Sequence, residues 1–354
     1  MKQTILIAGS GKMAWNIGDS FLNKGFSVHW LTSSPEQKDA LLHKIAKARR
    51  RTATFFPERL ERFDAGCHLL NAADIPLPDI LIESTHESLS KKREVFASLS
   101  HLITEQTLIF SNSSSLLPQT LHSNCLGAHF FYPVQLTALV ELILPRSCGE
   151  ERRRQSLNFL QENGLDVLEE DVENAFLVNR LLIPLQAACL RALQDGYPAP
   201  VVEEASKSEM IALGQLSMMD AIGLDLIHSA VCNYRNLPES VDPADQNIVI
   251  SGLTGLLSTG KKGKKNGDGL LRGDALPWPV REVGPAEQQH LRGHLCHTLR
   301  QTCMQEYGRK NITLDQLQMI CERIFMTKDF PRTFFTEPTG DPAGTGNDNR
   351  HSIV

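Results

Sequence analysis

The chain has 354 residues and a formal net charge of −5, with apolar and charged fractions of 41% and 22%. That composition is typical of a globular protein, and the length suits two domains better than a single core. The negative charge provides no net basic field that would attract nucleic acid. We therefore expect no nucleic-acid partner.

No apolar stretch reaches the roughly 18 residues that a membrane span needs. The N-terminus runs directly into an apolar strand pattern and lacks the features of a signal peptide. We therefore expect a cytoplasmic protein with no membrane partner. The 8 cysteines form no C-x-x-C pair and match no zinc-ligand spacing, which predicts neither a metal site nor a disulfide.

Through the first half of the chain, short apolar runs alternate with amphipathic segments. Buried strands are predicted at 4–8, 26–31, 79–83, 108–111 and 127–131, and helices at 12–24, 36–51 and 88–101. Strands that alternate with helices indicate βαβ units and a mostly parallel sheet. We assign this α/β domain to residues 1–171.

From about residue 172 the pattern becomes helical. Helices are predicted at 175–195, 201–213, 219–233, 285–308 and 314–328, around a glycine- and lysine-rich loop at 261–269. We assign an all-α substrate and dimerisation domain to residues 172–335. The last segment, 336–354, is rich in Gly, Pro, Asp and Asn and predicts a disordered tail.

A glycine-rich loop follows the first predicted strand and opens the first helix. In its pattern G-x-G-x-x-A, Gly9 permits a tight turn and Gly11 lets backbone N–H groups approach a pyrophosphate. Ala14 allows close packing of helix on strand, and Lys12 and Met13 lie between. The strand–turn–helix context predicts a Rossmann-type dinucleotide site. A turn without a ligand is the alternative.

The end of the second strand bears on the choice of cofactor. An NAD site carries an acidic residue there, which binds the ribose 2′-hydroxyl. Here Thr32 and Ser33 stand at that place, and hydroxyl groups do not repel a 2′-phosphate. The sequence therefore slightly favours NADP over NAD.

Several candidate catalytic residues follow the predicted strands. His129 is suited to acid–base chemistry near neutral pH, and Glu141 stands 12 residues later. A carboxylate on the second ring nitrogen would fix the tautomer of the imidazole. A serine-rich cluster that contains Ser114 lies upstream, and Asn179 lies in a helix start downstream. Each has an ordinary structural interpretation when considered alone.

Their order along the chain is more specific. The motifs are G-S-G-K-M-A at 9–14, I-E-S-T-H-E-S-L at 82–89, S-N-S-S-S-L at 111–116, H-F-F-Y-P at 129–133 with L-V-E at 139–141, F-L-V-N-R-L at 176–181 and G-K-K-N-G-D-G at 263–269. In these motifs the chain resembles the L-3-hydroxyacyl-CoA dehydrogenase family, over about residues 4–270.

The resemblance implies roles for individual residues. His129 would exchange a proton with the substrate 3-hydroxyl, and Glu141 would orient His129. Ser114 and Asn179 would hydrogen-bond the reacting oxygen or the neighbouring carbonyl. On the cofactor side, the resemblance places Ser84, Glu87, Lys92 and Asn112. It also implies a homodimer formed through the helical domain.

Some positions depart from the family pattern. Tyr132 replaces an asparagine, and its bulk is expected to narrow the pocket beside His129. The helical arm after the second strand is expected to be shorter than in the family and to end near 52–57. Leu270 and Leu271 stand where an aromatic residue usually follows the glycine loop. The segment after 275 is additional, and its helices are expected near the groove for coenzyme A.

These departures leave the substrate open. A 3-hydroxyacyl-CoA is the first expectation, and a compact β-oxo acid or β-oxo phosphonate is the alternative. A third possibility is a non-catalytic nucleotide-binding protein, because folds are reused for other functions. The retained set of Ser114, His129, Glu141 and Asn179 argues for an enzyme.

Overall fold

The computed structural model describes residues 3–32, 34–69, 75–237, 241–273 and 275–327. Within these residues the first half of the chain forms an eight-stranded sheet with the order β3-β2-β1-β4-β5-β6-β7-β8. The strands are Thr4–Ala8 (β1), Ser27–Leu31 (β2), Cys67–Leu69 (β3), Ile80–Glu83 (β4), Leu108–Ser111 (β5), Cys125–Phe130 (β6), Leu139–Leu144 (β7) and Asp166–Asp171 (β8).

Helices connect the strands and then make up the second half of the chain. They are Lys12–Asn23 (α1), Pro35–Phe55 (α2), Leu60–Gly66 (α3), Leu89–Ser98 (α4), Val134–Thr137 (α5), Glu150–Glu162 (α6), Leu177–Gln194 (α7), Ala199–Ala205 (α8), Gln215–Ile222 (α9), Leu224–Tyr234 (α10), Pro243–Ser258 (α11), Pro285–Gly308 (α12) and Leu314–Arg323 (α13). None of these described helices is long and apolar enough to cross a bilayer.

The sheet is parallel except where β6 and β7 pair antiparallel. The inner strands β1, β2, β4, β5 and β6 are mostly buried because helices cover both faces of a parallel sheet, which explains their continuous apolar runs. The link between β6 and β7 is too short for a crossover and holds only α5, so β7 runs back beside β6. The predicted class, a mostly parallel Rossmann-type domain followed by an all-α domain, is confirmed.

The helical half packs around α7. The side chains of α7 are buried along most of its length. They pack with side chains of the helices α8 through α13 in one apolar core, which also includes Leu139 and Ile143 of the sheet. The main partners of α12 are α7 and α8. The expectation that these added helices lie near a coenzyme A groove is therefore not supported, because α12 covers the core of its own domain.

Several element predictions need correction. Helix α2 continues to Phe55, beyond the predicted end at residue 51, because no proline or glycine interrupts it before Pro57. The helix expected at 219–233 is divided by Gly223, whose φ is +110°. Strands β3, β7 and β8 and helix α11 were not predicted, and the helix expected at 201–213 ends at Ala205. The tail at 336–354 lies outside the described residues, and the boundary at 171/172 remains a prediction.

Candidate active site

The phosphate loop connects β1 to α1 at the carboxyl edge of the sheet. Gly9 has a φ of +135°, and a Cβ atom there would lie 2.4 Å from the backbone oxygen of Ser84. Only glycine tolerates both the conformation and the close approach. At Gly11, by contrast, a Cβ atom would meet nothing within 4 Å. Space is therefore open on the side of the loop from which a ligand would approach.

The start of α1 fits a dinucleotide pyrophosphate. Its N-cap residue, Gly11, contributes no side-chain hydrogen bond, and the first turn contains no acidic residue. The helix thus presents backbone N–H groups and its positive end to an anion. Lys44 Nζ donates to the carbonyl oxygen of Ser10 over 2.8 Å, which holds the loop and adds positive charge behind it. Within the first turn of α1, Ala14 is buried and Met13 is partly exposed.

The residue that directly follows β2 is Thr32, so no acidic side chain stands where an NAD site usually has one. Ser33 lies outside the described residues. Ser34 is the N-cap of α2, where its side chain accepts from the N–H of Gln37 over 3.3 Å. Ser34 is thus already used by the helix.

Ser84 and Asn112 lie at the ends of β4 and β5, beside the phosphate loop. Asn112 Nδ2 donates to Ser84 Oγ over 3.2 Å, and Asn112 Oδ1 accepts from the N–H of Phe130 over 3.0 Å. Asn112 therefore connects the ends of β4, β5 and β6 through its side-chain hydrogen bonds. Both residues are only partly buried, which leaves them accessible to a cofactor.

Lys92 lies in the interior, with a side chain that is only 1% exposed. Its Nζ donates to both carboxylate oxygens of Glu83 over 2.9 Å, and Ser111 Oγ donates to the same carboxylate over 2.6 Å. An ammonium group enclosed in this way cannot reach a cofactor outside the loops. We correct the expected cofactor contact of Lys92 to a supporting role, and Glu83 is the partner that sequence reasoning missed.

Glu87 holds the serine-rich loop from behind. Its Oε1 accepts from Ser113 Oγ over 2.6 Å, Ser115 Oγ over 2.7 Å and the N–H of Ser114 over 3.0 Å. Burial alone would raise the pKa of Glu87, but Lys92 and these donors outweigh it and lower the pKa. The carboxylate fixes the position of Ser114, so Glu87 also supports the site from outside the cofactor space.

His129 and Glu141 form a directly opposed pair on the antiparallel strands β6 and β7. Their Nδ1 and Oε2 atoms are 2.6 Å apart, and the side chains are 12% and 0% exposed. Because a carboxylate only accepts, the neutral imidazole places its hydrogen on Nδ1. The second nitrogen, Nε2, is left to exchange a proton with a ligand.

The helical domain completes the site with the start of α7. The N–H of Val178 donates to Glu141 Oε1 over 2.7 Å. Asn179 Nδ2 donates to the backbone oxygen of Ser114 over 3.0 Å. The structure therefore brings Ser114, Asn179 and the His129–Glu141 pair together, as the sequence predicted. The functions of these four residues remain predictions.

The surroundings of His129 differ from expectation at Tyr132. The ring that packs on His129 is that of Phe131, with centroids 4.5 Å apart. Tyr132 is half-exposed, and the Nζ atom of Lys12 lies over its ring at 3.5 Å from the centroid. Tyr132 therefore stacks beside the phosphate loop, and the pocket wall next to His129 is Phe131.

Sequence reasoning also missed Glu170 on β8. This carboxyl group is buried and lies on the same face of the sheet as Glu141, and its burial and the nearby Glu141 raise its pKa. The run D-V-L-E-E-D at 166–171 suggests an exposed edge, and only the alternation of buried Leu168 and Glu170 with more exposed neighbours marks the inward face. Among the described residues no group of three or more His, Cys, Asp or Glu side chains could hold a metal ion.

Two family models match the chain. The model for the NAD binding domain of 3-hydroxyacyl-CoA dehydrogenase matches residues 4–169, and the model for the C-terminal domain of 3-hydroxyacyl-CoA dehydrogenase matches residues 176–273. The added helices α12 and α13 lie beyond both matches.

Individual relatives agree with the family models. A probable 3-hydroxybutyryl-CoA dehydrogenase of Bacillus subtilis is 28% identical over 258 residues, which are 66% of this chain and 89% of that protein. A 3-hydroxyadipyl-CoA dehydrogenase of Escherichia coli is 27% identical over 293 residues, 76% of this chain but only 58% of that protein.

A solved structure supports the fold. The (S)-3-hydroxybutyryl-CoA dehydrogenase from Ralstonia eutropha superposes with a TM-score of 0.66 at 21% identity, covering 78% of this chain and 100% of that chain. At this level of identity the superposition shows a shared fold and says nothing about substrate.

Proposed function

The chain belongs to the 3-hydroxyacyl-CoA dehydrogenase family, and on that premise we propose that it transfers a hydride reversibly between NAD(H) and a 3-hydroxy or 3-oxo acyl compound. It is an oxidoreductase of the NAD-dependent dehydrogenase type. The observation that carries the proposal is the 2.6 Å contact between His129 Nδ1 and Glu141 Oε2.

The proton steps follow from that contact. In the oxidative direction, His129 Nε2 accepts the proton of the substrate hydroxyl, and Glu141 stabilises the resulting imidazolium through Nδ1. NAD(H), when bound, would supply the acceptor for the hydride that leaves the carbinol carbon. In the reductive direction His129 returns the proton to the forming alkoxide. Glu141 keeps the imidazole in one orientation throughout.

Polar groups near His129 would bind the reacting oxygen. Ser114 and Asn179 are held together by the hydrogen bond between Asn179 Nδ2 and the Ser114 carbonyl. Glu87 fixes the backbone of Ser114 from the other side. We assign the Ser114 hydroxyl and the Asn179 amide to the substrate oxygens, because a fixed donor stabilises developing negative charge more than a mobile one.

The cofactor we assign is NAD(H). The matching family model is described as an NAD binding domain, and the slight preference for NADP expected from Thr32 has no support from it. The residues proposed to bind NAD(H) are Gly9, Gly11, Lys12, Met13, Ala14, Thr32, Ser33, Ser84 and Asn112.

The substrate we propose first is a 3-hydroxyacyl-CoA, the class for which the relatives are named. One observation favours the compact alternative, a β-oxo acid or phosphonate. Burial, and after it the positive charge of Lys264, lower the pKa of Lys12 beside the phosphate loop. A small anionic substrate would bind there through its charge.

We further propose that the chain forms a homodimer through its helical domain, as the family resemblance implies. Leu213, Ile222 and Leu226 in that domain expose apolar side chains, and association would remove them from water. Sedimentation equilibrium of the full chain tests this proposal: a dimer mass supports it, and a monomer mass at micromolar concentration contradicts it.

A substrate panel tests the proposed function. Full-length protein is incubated with NADH and acetoacetyl-CoA, acetoacetate or a β-oxo phosphonate, and the loss of nicotinamide absorbance is followed. We expect acetoacetyl-CoA to give a kcat/KM of about 10⁴ M⁻¹s⁻¹ or above. Faster turnover of a compact substrate would favour the alternative. Tight binding of NADH without turnover of any of the three would contradict the enzymatic function.

A further inference from the structure

A second carboxyl group lies next to the His129–Glu141 pair. In the parallel pairing of β7 with β8, Glu141 is opposite Leu168, and Ile143 is opposite Glu170. Glu141 and Glu170 are therefore diagonal neighbours on one face of the sheet, within reach of long side chains. Glu170 is only 7% exposed, so its carboxyl group is removed from water together with that of Glu141.

Both carboxyl groups meet the start of α7. The N–H of Val178 donates to Glu141 over 2.7 Å, and the N–H of Leu177 donates to Glu170 over 3.3 Å. The N-cap residue, Phe176, provides no side-chain hydrogen bond. The two glutamates thus take the place of a capping side chain. The positive end of a helix amounts to about half a unit charge and cannot balance two buried anions.

The available donors indicate where a proton resides. Glu141 accepts two short hydrogen bonds, from His129 Nδ1 and from the N–H of Val178. Glu170 receives only the long bond from Leu177, and its buried Oε1 has no hydrogen-bond partner. The carboxyl groups of Glu170 and Glu141 nevertheless lie on the same face of the sheet and accept from adjacent N–H groups of α7. Two ionised carboxylates only accept and repel each other at this range, so we place a proton on Glu170, the group with fewer donors.

The charges around Glu170 agree with this assignment. Burial and the neighbouring Glu141 raise the pKa of Glu170 well above its ordinary value, and Arg180 opposes them only in part. The guanidinium of Arg180 is buried and donates through Nη2 to Glu306 over 2.8 Å. From α10, Tyr234 presents a neutral hydroxyl that contacts the backbone oxygen of Phe176. Arg309, half-exposed, contacts the far side of Glu306.

We propose that Glu170 is a positioning residue for the acid/base pair. Its carboxyl group is protonated at neutral pH and donates a hydrogen bond to Glu141. The inference rests on the function proposed for His129. The donated hydrogen bond draws negative charge away from the Oε2 atom that faces His129. Glu141 then attracts the imidazolium proton less strongly, which keeps His129 able to release it.

A neutral Glu170 also balances the buried charges during the reaction. The buried cluster consists of Glu141, Glu170, Arg180 and Glu306. With Glu170 protonated, this cluster holds one cation, Arg180, and two anions, Glu141 and Glu306. When His129 accepts a proton, the buried charges cancel. An ionised Glu170 would leave one anion in excess in a dry environment, which is costly.

Infrared spectroscopy tests the protonation directly and needs neither cofactor nor turnover. The spectrum of the wild type at pH 7 minus that of Glu170→Gln is expected to contain the carbonyl stretch of a neutral carboxylic acid. The matched control is Glu169→Gln, which alters the next residue on β8, a more exposed side chain bonded to Arg153. The band must be absent from the corresponding Glu169→Gln difference spectrum. A Glu170 difference spectrum that contains only ionised carboxylate bands would overturn the proposal.

Kinetics then tests the effect on His129. Glu170→Gln keeps a donor to Glu141, and we expect its kcat/KM within about threefold of wild type. Glu170→Leu removes the donor and is expected to raise the apparent pKa of His129 in the pH profile by about 0.5–1 unit. Equal profiles for all three proteins, or the same shift in both variants, would refute the positioning role. A wild type without turnover would instead refute the proposed function, and the infrared result would still stand.

Discussion

At the scale of single residues, the candidate site combines His129 and Glu141 with a third side chain, the buried Glu170. The spacing of 12 residues between His129 and Glu141 is consistent with two antiparallel strands joined by a short turn, and the structure pairs the two residues directly. Glu170 stands in a run of acids that resembles a solvated edge. Its burial depends on α7 packing against β8, a contact that no local pattern contains.

The clearest residue-scale prediction concerns His129. Positioned proton transfer contributes roughly 10²–10⁴-fold to rate, so His129→Gln is expected to lose that factor in kcat while the affinity for NADH is retained. The control is His101→Gln, which alters an exposed histidine after α4 and should leave kcat unchanged. Steady-state kinetics and a fluorescence titration with NADH measure both quantities. Near-full activity of His129→Gln would refute the assigned role.

A second residue-scale prediction concerns Thr32. A carboxylate at this position would accept from the ribose 2′-hydroxyl and repel a 2′-phosphate. Thr32→Asp should therefore lower kcat/KM with NADPH, relative to NADH, by about tenfold or more. Thr32→Ser keeps the hydroxyl and serves as the control. An unchanged NADH-to-NADPH ratio in Thr32→Asp would mean that this strand end lies away from the ribose.

At the scale of elements, the spacing of apolar residues and the positions of glycines were enough to predict the first strands and helices. The errors occur where tertiary contacts decide. The edge strands β3 and β8 are short or rich in charge, so they lack the apolar run that marked the inner strands. Lys92 was expected at the cofactor because the family resemblance implied that role, but α4 turns its side chain into the interior. The sequence did not indicate which side of α4 faces the interior.

The two glycines of the phosphate loop allow an element-scale test that separates folding from binding. Gly9→Ala meets the Ser84 backbone and a positive φ, so it should cost more than about 1 kcal/mol of unfolding free energy as well as NADH affinity. Gly11→Ala has free space and should keep its stability, yet its methyl group would obstruct the pyrophosphate. Urea unfolding and NADH titration measure the two effects. Tight NADH binding by Gly11→Ala would argue against this loop as the cofactor site.

The start of α7 leads to a prediction about pH. Burial and Glu141 raise the pKa of Glu170 in the folded protein above the unfolded value of about 4.3. Its stabilising contribution is complete below the unfolded pKa and is lost as pH rises through the folded pKa. Glu170→Gln does not titrate there, so it should gain stability relative to wild type with rising pH, by at most about 1.4 kcal/mol per pH unit.

Urea unfolding from pH 4 to pH 8 measures this difference, with Glu169→Gln as the matched control. The control should follow the wild-type curve with a constant offset. If Glu170→Gln also kept a constant offset over the whole range, Glu170 would have the same pKa in the folded and unfolded states, and the buried proton would be absent.

At the scale of the whole molecule, the site exists only where the two halves of the chain meet. The sheet contributes His129, Glu141 and Ser114, and the helical half contributes Asn179 and the N–H groups of α7. The sequence motifs predicted this assembly because they occur in the order of a known family. The helical pattern predicted α12 at 285–308, but nothing in the sequence indicated that α12 packs on α7 and forms the ion pair between Arg180 and Glu306.

Transfer of deuterium from NADH labelled at the nicotinamide C4 position tests the central claim most directly. The labelled cofactor is incubated with acetoacetyl-CoA and the full chain, and the hydroxy product is analysed by mass spectrometry and NMR. We predict one deuterium at the carbon that bears the new hydroxyl, formed by wild type and slowed by about 10²–10⁴-fold in His129→Gln. Product that carries no deuterium, or equal rates for wild type and His129→Gln, would contradict hydride transfer assisted by this histidine.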